Sequence, residues 1–425
     1  MSNKNLFAAL RAAFPSDLNA TAVETDNGLN YSWRDIERAT AMLANLLASL
    51  NLPAGARIAV QVEKSVEAML LYLATLRAGY VFLPLNTAYQ SAEIEYFIGN
   101  AEPAVVVCSK KNFGWVSKIA FKAGTQNVFT LDDDRTGSLL DRSAHCSDQH
   151  TVANKSTDDL AAILYTSGTT GRSKGAMLSH GNMLSNALVL KDYWGWRPGD
   201  VLIHALPIFH VHGLFVALHG ALINGSKMIW CAKFDPKFVV GKMPEATVFM
   251  GVPTLYVRLL NEPGLDKNAV RNMRLFVAGS APLLIETFNE WQTRTGHTIL
   301  ERYGMSETAM LTSNPYQGER RGGTVGFALP GVTLRVQDEG GQSLGIDEIG
   351  GIHVKGSNVF KGYWRMPEKT KEEFTADGFF KTGDVGKIDQ RGYITIVGRS
   401  KDLIIVVATT FTRQKLKATS TTCRA

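Results

Sequence analysis

Short apolar runs recur along the first three quarters of the chain, separated by longer stretches of helical spacing. Residues 57–62, 81–85, 104–108 and 160–164 are nearly continuous apolar runs, the pattern of strands buried on both faces. Residues 66–77 have helical length and end at Gly79. Residues 31–38 open a helix with Ser32 as its N-cap. Residues 6–14 form an amphipathic first helix that Pro15 ends. The runs 201–206 and 247–252 each lead through a proline into a helix, and 275–282 is a strand running into a turn of small residues. Such alternation predicts an α/β fold with mostly parallel sheets covered on both faces. From about residue 320 the period changes. Residues 333–337, 351–355 and 392–397 are short strands between glycine turns, which predicts an antiparallel meander or small barrel.

Composition narrows this picture only a little. The 425 residues are 45% hydrophobic and 20% charged, enough for two or three domains around a large core. The net charge of +6 is spread along the chain; it suits anionic substrates such as nucleotides and gives little reason to expect a nucleic-acid partner. Cys108, Cys146, Cys231 and Cys423 lie far apart, which points to neither a disulfide framework nor a zinc site and fits a reducing cytosol. No apolar run is long enough to span a bilayer. Pro15, Asp17 and Glu24 favour an ordinary first helix over a mitochondrial presequence.

Candidate chemistry gathers in three places. Residues 165–175 combine glycines and hydroxyl residues with Lys174, between an apolar run and a stretch leading into a helical pattern. A glycine-rich turn can aim backbone N–H groups at an anion, and a lysine adds a point charge. The Walker A order of lysine followed by serine or threonine is absent, because Lys174 follows Ser173 and precedes Gly175. Residues 299–308 bring Glu301, Arg302, Tyr303, Ser306 and Glu307 into one turn. Charges that dense are costly to bury unless paired or holding a ligand. His210 and His212 are two apart, but no acidic or cysteine partner stands nearby in sequence. Residues 1–150 show no catalytic cluster and are expected to be scaffold.

These motifs resemble the adenylate-forming enzymes: acyl-CoA synthetases, luciferases and peptide-synthetase adenylation domains. The resemblance runs over residues 5–405. It implies an α/β fold with two αβα-type parallel-sheet subdomains and a small antiparallel β-barrel, followed in full-length members by a small C-terminal domain. It implies an adenylation domain at 1–399, β-rich from about 320, with a hinge remnant and tail at 400–425. By the same resemblance Thr166, Ser167, Gly168, Thr169, Thr170, Gly171 and Lys174 hold the phosphates of ATP. Gly279, Ser280, Ala281, Glu301 and Tyr303 form the adenine side. Ser306 and Glu307 meet the α-phosphate and Mg²⁺, with Thr169 as a second metal contact. Asp384 and Arg399 hold the ribose, His210 gates the acyl pocket, and Lys401 is the hinge.

Residues 209–215, 251–258 and 300–308 are most similar to malonyl-CoA synthetases. In that branch two arginines hold the distal carboxylate of malonate, which implies Arg258 and Arg302 here. The implied reaction joins malonate to coenzyme A through a malonyl-adenylate, with ATP and coenzyme A as co-substrates and a cytoplasmic setting. A ligase for another small acid, such as methylmalonate, and a non-catalytic nucleotide-binding protein are the alternatives. After Ile405 the family pattern stops. Residues 406–425 contain no Gly, Asp or Glu. A one-base shift of reading frame can restore the family's continuation, so a frameshifted, disordered tail and an impaired enzyme are expected.

Overall fold

A computed structural model of the chain describes residues 3–166, 173–400, 403–406 and 409–412, the last two stretches by their backbone alone. The tail expectation falls largely outside the described residues; within them, Leu403–Val406 and Thr409–Thr412 pair as an antiparallel hairpin.

Three larger sheets make up the body of the fold, beside that two-stranded hairpin. The first has six strands, in the order Asn127–Thr130, Val105–Cys108, Arg57–Gln61, Val81–Pro84, Leu160–Thr166 and Lys174–Ser179. The first five run parallel, as their unbroken apolar character demands; the last is antiparallel. The second sheet has nine strands. Its middle is parallel, from Thr21–Thr25 through Lys227–Trp230, Val201–His204, Val248–Gly251 and Leu275–Ala278 to Leu300–Met305. The third is a four-stranded antiparallel meander, Val332–Gln337, Gly350–Gly356, Phe380–Ile388 and Ile394–Arg399.

Helices pack on the two larger sheets. Trp33–Ser49 begins with a capping box: the Ser32 hydroxyl accepts from the Asp35 N–H (3.1 Å) and the Asp35 carboxylate from the Ser32 N–H (2.8 Å). Its Ile36, Leu43, Ala44 and Leu47 lie at helical spacing and are buried. Every residue of Val66–Arg77 is buried, so this helix forms the centre of a layer. Arg77 survives there because its guanidinium meets Glu37, Thr40 and the His150 carbonyl.

The stretch after the glycine-rich loop leads into a helix, as expected, by way of a strand that was not expected. Lys174–Ser179 returns beside Leu160–Thr166, with Lys174 opposite Thr166, and the helix His180–Tyr193 follows.

Candidate active site

The candidate residues collect at the carboxyl ends of the parallel strands, where open α/β sheets place their ligands. On the phosphate side, the Thr166 hydroxyl approaches the Lys174 carbonyl (3.4 Å) and closes the base of the loop. Ser167, Gly168, Thr169, Thr170 and Gly171 lie outside the described residues, as does Lys401. Lys174 Nζ lies 4.3 Å from the Tyr363 ring centroid and 3.5 Å from Glu373 Oε1. The Tyr363 hydroxyl donates to buried Glu307 Oε1 at 2.9 Å. Burial raises the Glu307 pKa; the Tyr363 hydrogen bond and the charges of Lys174 and Arg399 oppose that rise. A buried carboxylate facing a lysine and an arginine suits a divalent cation bound with phosphate oxygens, which needs only one or two protein carboxylates.

On the opposite wall, Asp384 and Arg399 are register partners on neighbouring strands of the meander. Arg399 Nε is 3.0 Å from Asp384 Oδ1, and the Tyr303 hydroxyl donates to Asp384 Oδ2 at 2.5 Å. Burial raises the Asp384 pKa, and both partners work against the rise. Ser306 and His210 line one narrow cleft with Asn86, Tyr89 and Tyr165.

The turn after Leu275–Ala278 forms the third wall. Ser280 adopts φ +72°, a conformation that costs a non-glycine residue energy, and its hydroxyl stands 3.5 Å from His212 Nδ1. Gly279 covers Arg302: a Cβ there would lie 2.6 Å from the guanidinium carbon. Arg302 is 2% exposed, and its Nε and one terminal nitrogen have no partner. Burial lowers its pKa to about 9. Its neighbour Glu301 points to the other side, as alternation along a strand requires. Glu301 Oε1 accepts from the Leu283 N–H (3.3 Å) and holds the turn from beneath. Burial pushes the Glu301 pKa up to about 7.

Arg258 is exposed where Arg302 is buried. It sits on the exposed face of the helix Pro253–Leu260, with its guanidinium 4.7 Å from the Phe234 ring centroid. Tyr256 faces inward and donates to the Val277 carbonyl. Two residues along a helix turn the side chain by about 200°, so Arg258 and Tyr256 lie on opposite faces of this helix.

Three residues that the sequence reading did not assign to the site contact the candidate residues or their neighbours. His212 has the Ser280 hydroxyl on one nitrogen, and its buried Nε2 has no partner. Tyr363 bridges Lys174 and Glu307, the latter 56 residues away in the chain. Lys64, from the presumed scaffold, reaches His204 behind the pocket. Only His212 had a signal, its place beside His210.

Known proteins match most of the chain. A malonate–CoA ligase of Arabidopsis thaliana is 35% identical over 374 residues, covering 83% of this chain and 61% of its own length. A probable CoA ligase of Humulus lupulus is 35% identical over 407 residues, covering 87% of this chain and 66% of its own. The chain thus spans less than two thirds of those relatives. The crystal structure of ATP-bound MatB from Rhodopseudomonas palustris superposes with a TM-score of 0.94 at 54% identity, over 98% of this chain and 83% of that one. Residues 11–364 match the model of the AMP-binding enzyme family, and the chain belongs to that family.

Proposed function

We propose that this chain carries the nucleotide and acid sites of a ligase that joins malonate to coenzyme A. The observation that carries the reading is Arg302: a buried guanidinium with unpartnered donors and no carboxylate of its own. Burying such a charge is costly unless a ligand completes it. A short diacid offers a second carboxylate for that purpose, and a fatty acid does not.

In this reading Lys174 and the loop before it hold the triphosphate. Asp384, oriented by Tyr303 and Arg399, takes the ribose hydroxyls. Glu307, with Thr169 of the loop, would hold Mg²⁺, which screens the phosphate charge as it develops. Gly279, Ser280 and Ala281 form the adenine edge, with Glu301 beneath them as support. One malonate oxygen attacks the α-phosphorus as the bond to pyrophosphate breaks. The thiol of coenzyme A then attacks the acyl carbon, and AMP leaves. No enzyme nucleophile is required, so positioning and electrostatics carry the rate. The unpaired Cys108, Cys146 and Cys231 are consistent with a reducing compartment, and no helix among the described residues is long and apolar enough to cross a membrane. Methylmalonate is the second reading, favoured by a 31% identical malonyl-CoA ligase structure that holds methylmalonyl-CoA and AMP.

Calorimetric titration of the chain with malonate, in the presence of a non-hydrolysable ATP analogue, tests the acid site. A bidentate charge-assisted pair contributes about 1.5–3 kcal/mol. Arg302→Leu should therefore weaken malonate by roughly ten- to a hundredfold and leave the nucleotide unaffected. Arg258→Leu should change neither. Equal losses of malonate and nucleotide in the Arg302 variant would overturn the assignment. Malonate-dependent AMP formation tests the whole reaction, and methylmalonate in the same assay separates the two readings.

A further inference from the structure

Lys64 stands between the strand Arg57–Gln61 and the helix Val66–Arg77, on the first sheet, yet its amine is bonded within the second. Its Nζ donates to the His204 carbonyl (2.8 Å), lies 3.0 Å from His204 Nδ1, and sits 4.5 Å from the Trp230 ring centroid. His204 and Trp230 end neighbouring parallel strands in register, and their rings stack at 4.6 Å. His204 Nε2 lies 2.9 Å from the Gly213 carbonyl. A carbonyl only accepts, so Nε2 carries the proton and Nδ1 is left to accept from Lys64. Gly213 belongs to the π-helix His212–Ala217, an irregularity that often marks a functional site. His212 is the first residue of that helix. It reaches Ser280, and Arg302 lies close enough to act on it electrostatically.

We propose that Lys64 is a positioning residue for the acid pocket: through His204 it pins the opening of the π-helix and so fixes His212 beside Arg302. The inference rests on the malonate reading of that pocket and extends it to a residue far from the reacting atoms. Three links carry it. The amine satisfies both acceptors of one histidine. The histidine has a single tautomer that reaches the helix. The helix begins with a residue of the pocket. A lysine that served only to tie two sheets together would leave acid and nucleotide affinity equally untouched.

The test uses the same titrations. Lys64→Met keeps the length and removes the donors; it should weaken malonate about tenfold or more and hold nucleotide affinity within about twofold. His204→Phe should give a similar loss. The double variant should be no weaker than the weaker single one, because both break the same relay. Lys64→Arg keeps the donors and the charge and should retain most of the affinity, which preserves the test if the methionine variant folds poorly. Wild-type malonate affinity in Lys64→Met, or losses that multiply in the double variant, would overturn the relay. A wild-type chain that binds nucleotide but no malonate would overturn the acid-site reading itself, and this proposal with it.

Discussion

Glu301 and Arg302 are consecutive, both buried, and face opposite sides of one strand. Each is pushed by burial toward its neutral form, the acid to about 7 and the guanidinium to about 9. For Glu301 the consequence is a pH-dependent stability. A carboxyl whose pKa rises on folding stabilises the fold fully below its ordinary value near 4.5, and that contribution is lost as pH rises through 7. At 1.36 kcal/mol per unit the ceiling is about 3 kcal/mol. Glu301→Gln should therefore flatten the fall of melting temperature across that window and melt above wild type on its alkaline side. An unchanged slope in thermal melts across the window would remove Glu301 as its source. Arg258 is the contrasting case. Its sequence neighbourhood resembles that of a pocket arginine, and its angular offset from Tyr256 sets it on the exposed side of its helix.

Among the elements, the π-helix His212–Ala217 is closely packed at its start. A Cβ on Gly213 would lie 2.0 Å from the Pro207 carbonyl oxygen, a backbone atom with little room to give. Gly213→Ala should cost about 1–3 kcal/mol of stability, and should weaken malonate more than nucleotide because the helix start carries His212. Melting temperature and the two titrations together check this; equal losses would make the glycine a matter of packing alone. A π-helix was not legible in the sequence, because its apolar residues fit an ordinary buried helix equally well. The parallel strands were legible: the run at 57–62 became Arg57–Gln61, and the run at 104–108 became Val105–Cys108. The Ser32 cap was legible too, since both halves of its capping box lie within one turn. Lys64 and Tyr363 were not, because their partners His204 and Glu307 lie 140 and 56 residues away. The return strand Lys174–Ser179 was missed because a short run beside a glycine-rich loop carries no mark that separates a hairpin from a helix entry.

At the scale of the molecule, three sheets meet at one cleft and are tied together around it. The segment 361–364 runs along the edge strand Lys174–Ser179, exchanging backbone bonds through Met177, Lys361 and Trp364, and so covers an edge that would otherwise be open. Asn182 donates to the carbonyls of Ser357 and Val359 and continues the same strap. The second sheet and the segment beside it join the meander through the hydrogen bond from Tyr303 to Asp384 and through backbone bonds of Ile394 with Val325 and Gly326. A nucleotide held by Lys174, Tyr303 and Asp384 would touch all three sheets at once, so its binding free energy should stabilise them together. Ligand at a hundred times its Kd adds about 2.7 kcal/mol to the bound state. ATP with Mg²⁺ should therefore raise the melting temperature of the described body as one transition. Asp384→Ala removes one link to the meander and leaves intact the strap from 357 to 364 and the backbone bonds of Ile394 with Val325 and Gly326. The unliganded variant should still melt in one step, and most of its response to ATP should be gone. Calorimetry distinguishes the outcomes: a variant that keeps the full ATP shift would show that Asp384 is no part of the nucleotide site. A split transition without ligand would show instead that the bond from Tyr303 to Asp384 outweighs the strap and the Ile394 backbone bonds in joining the meander to the rest.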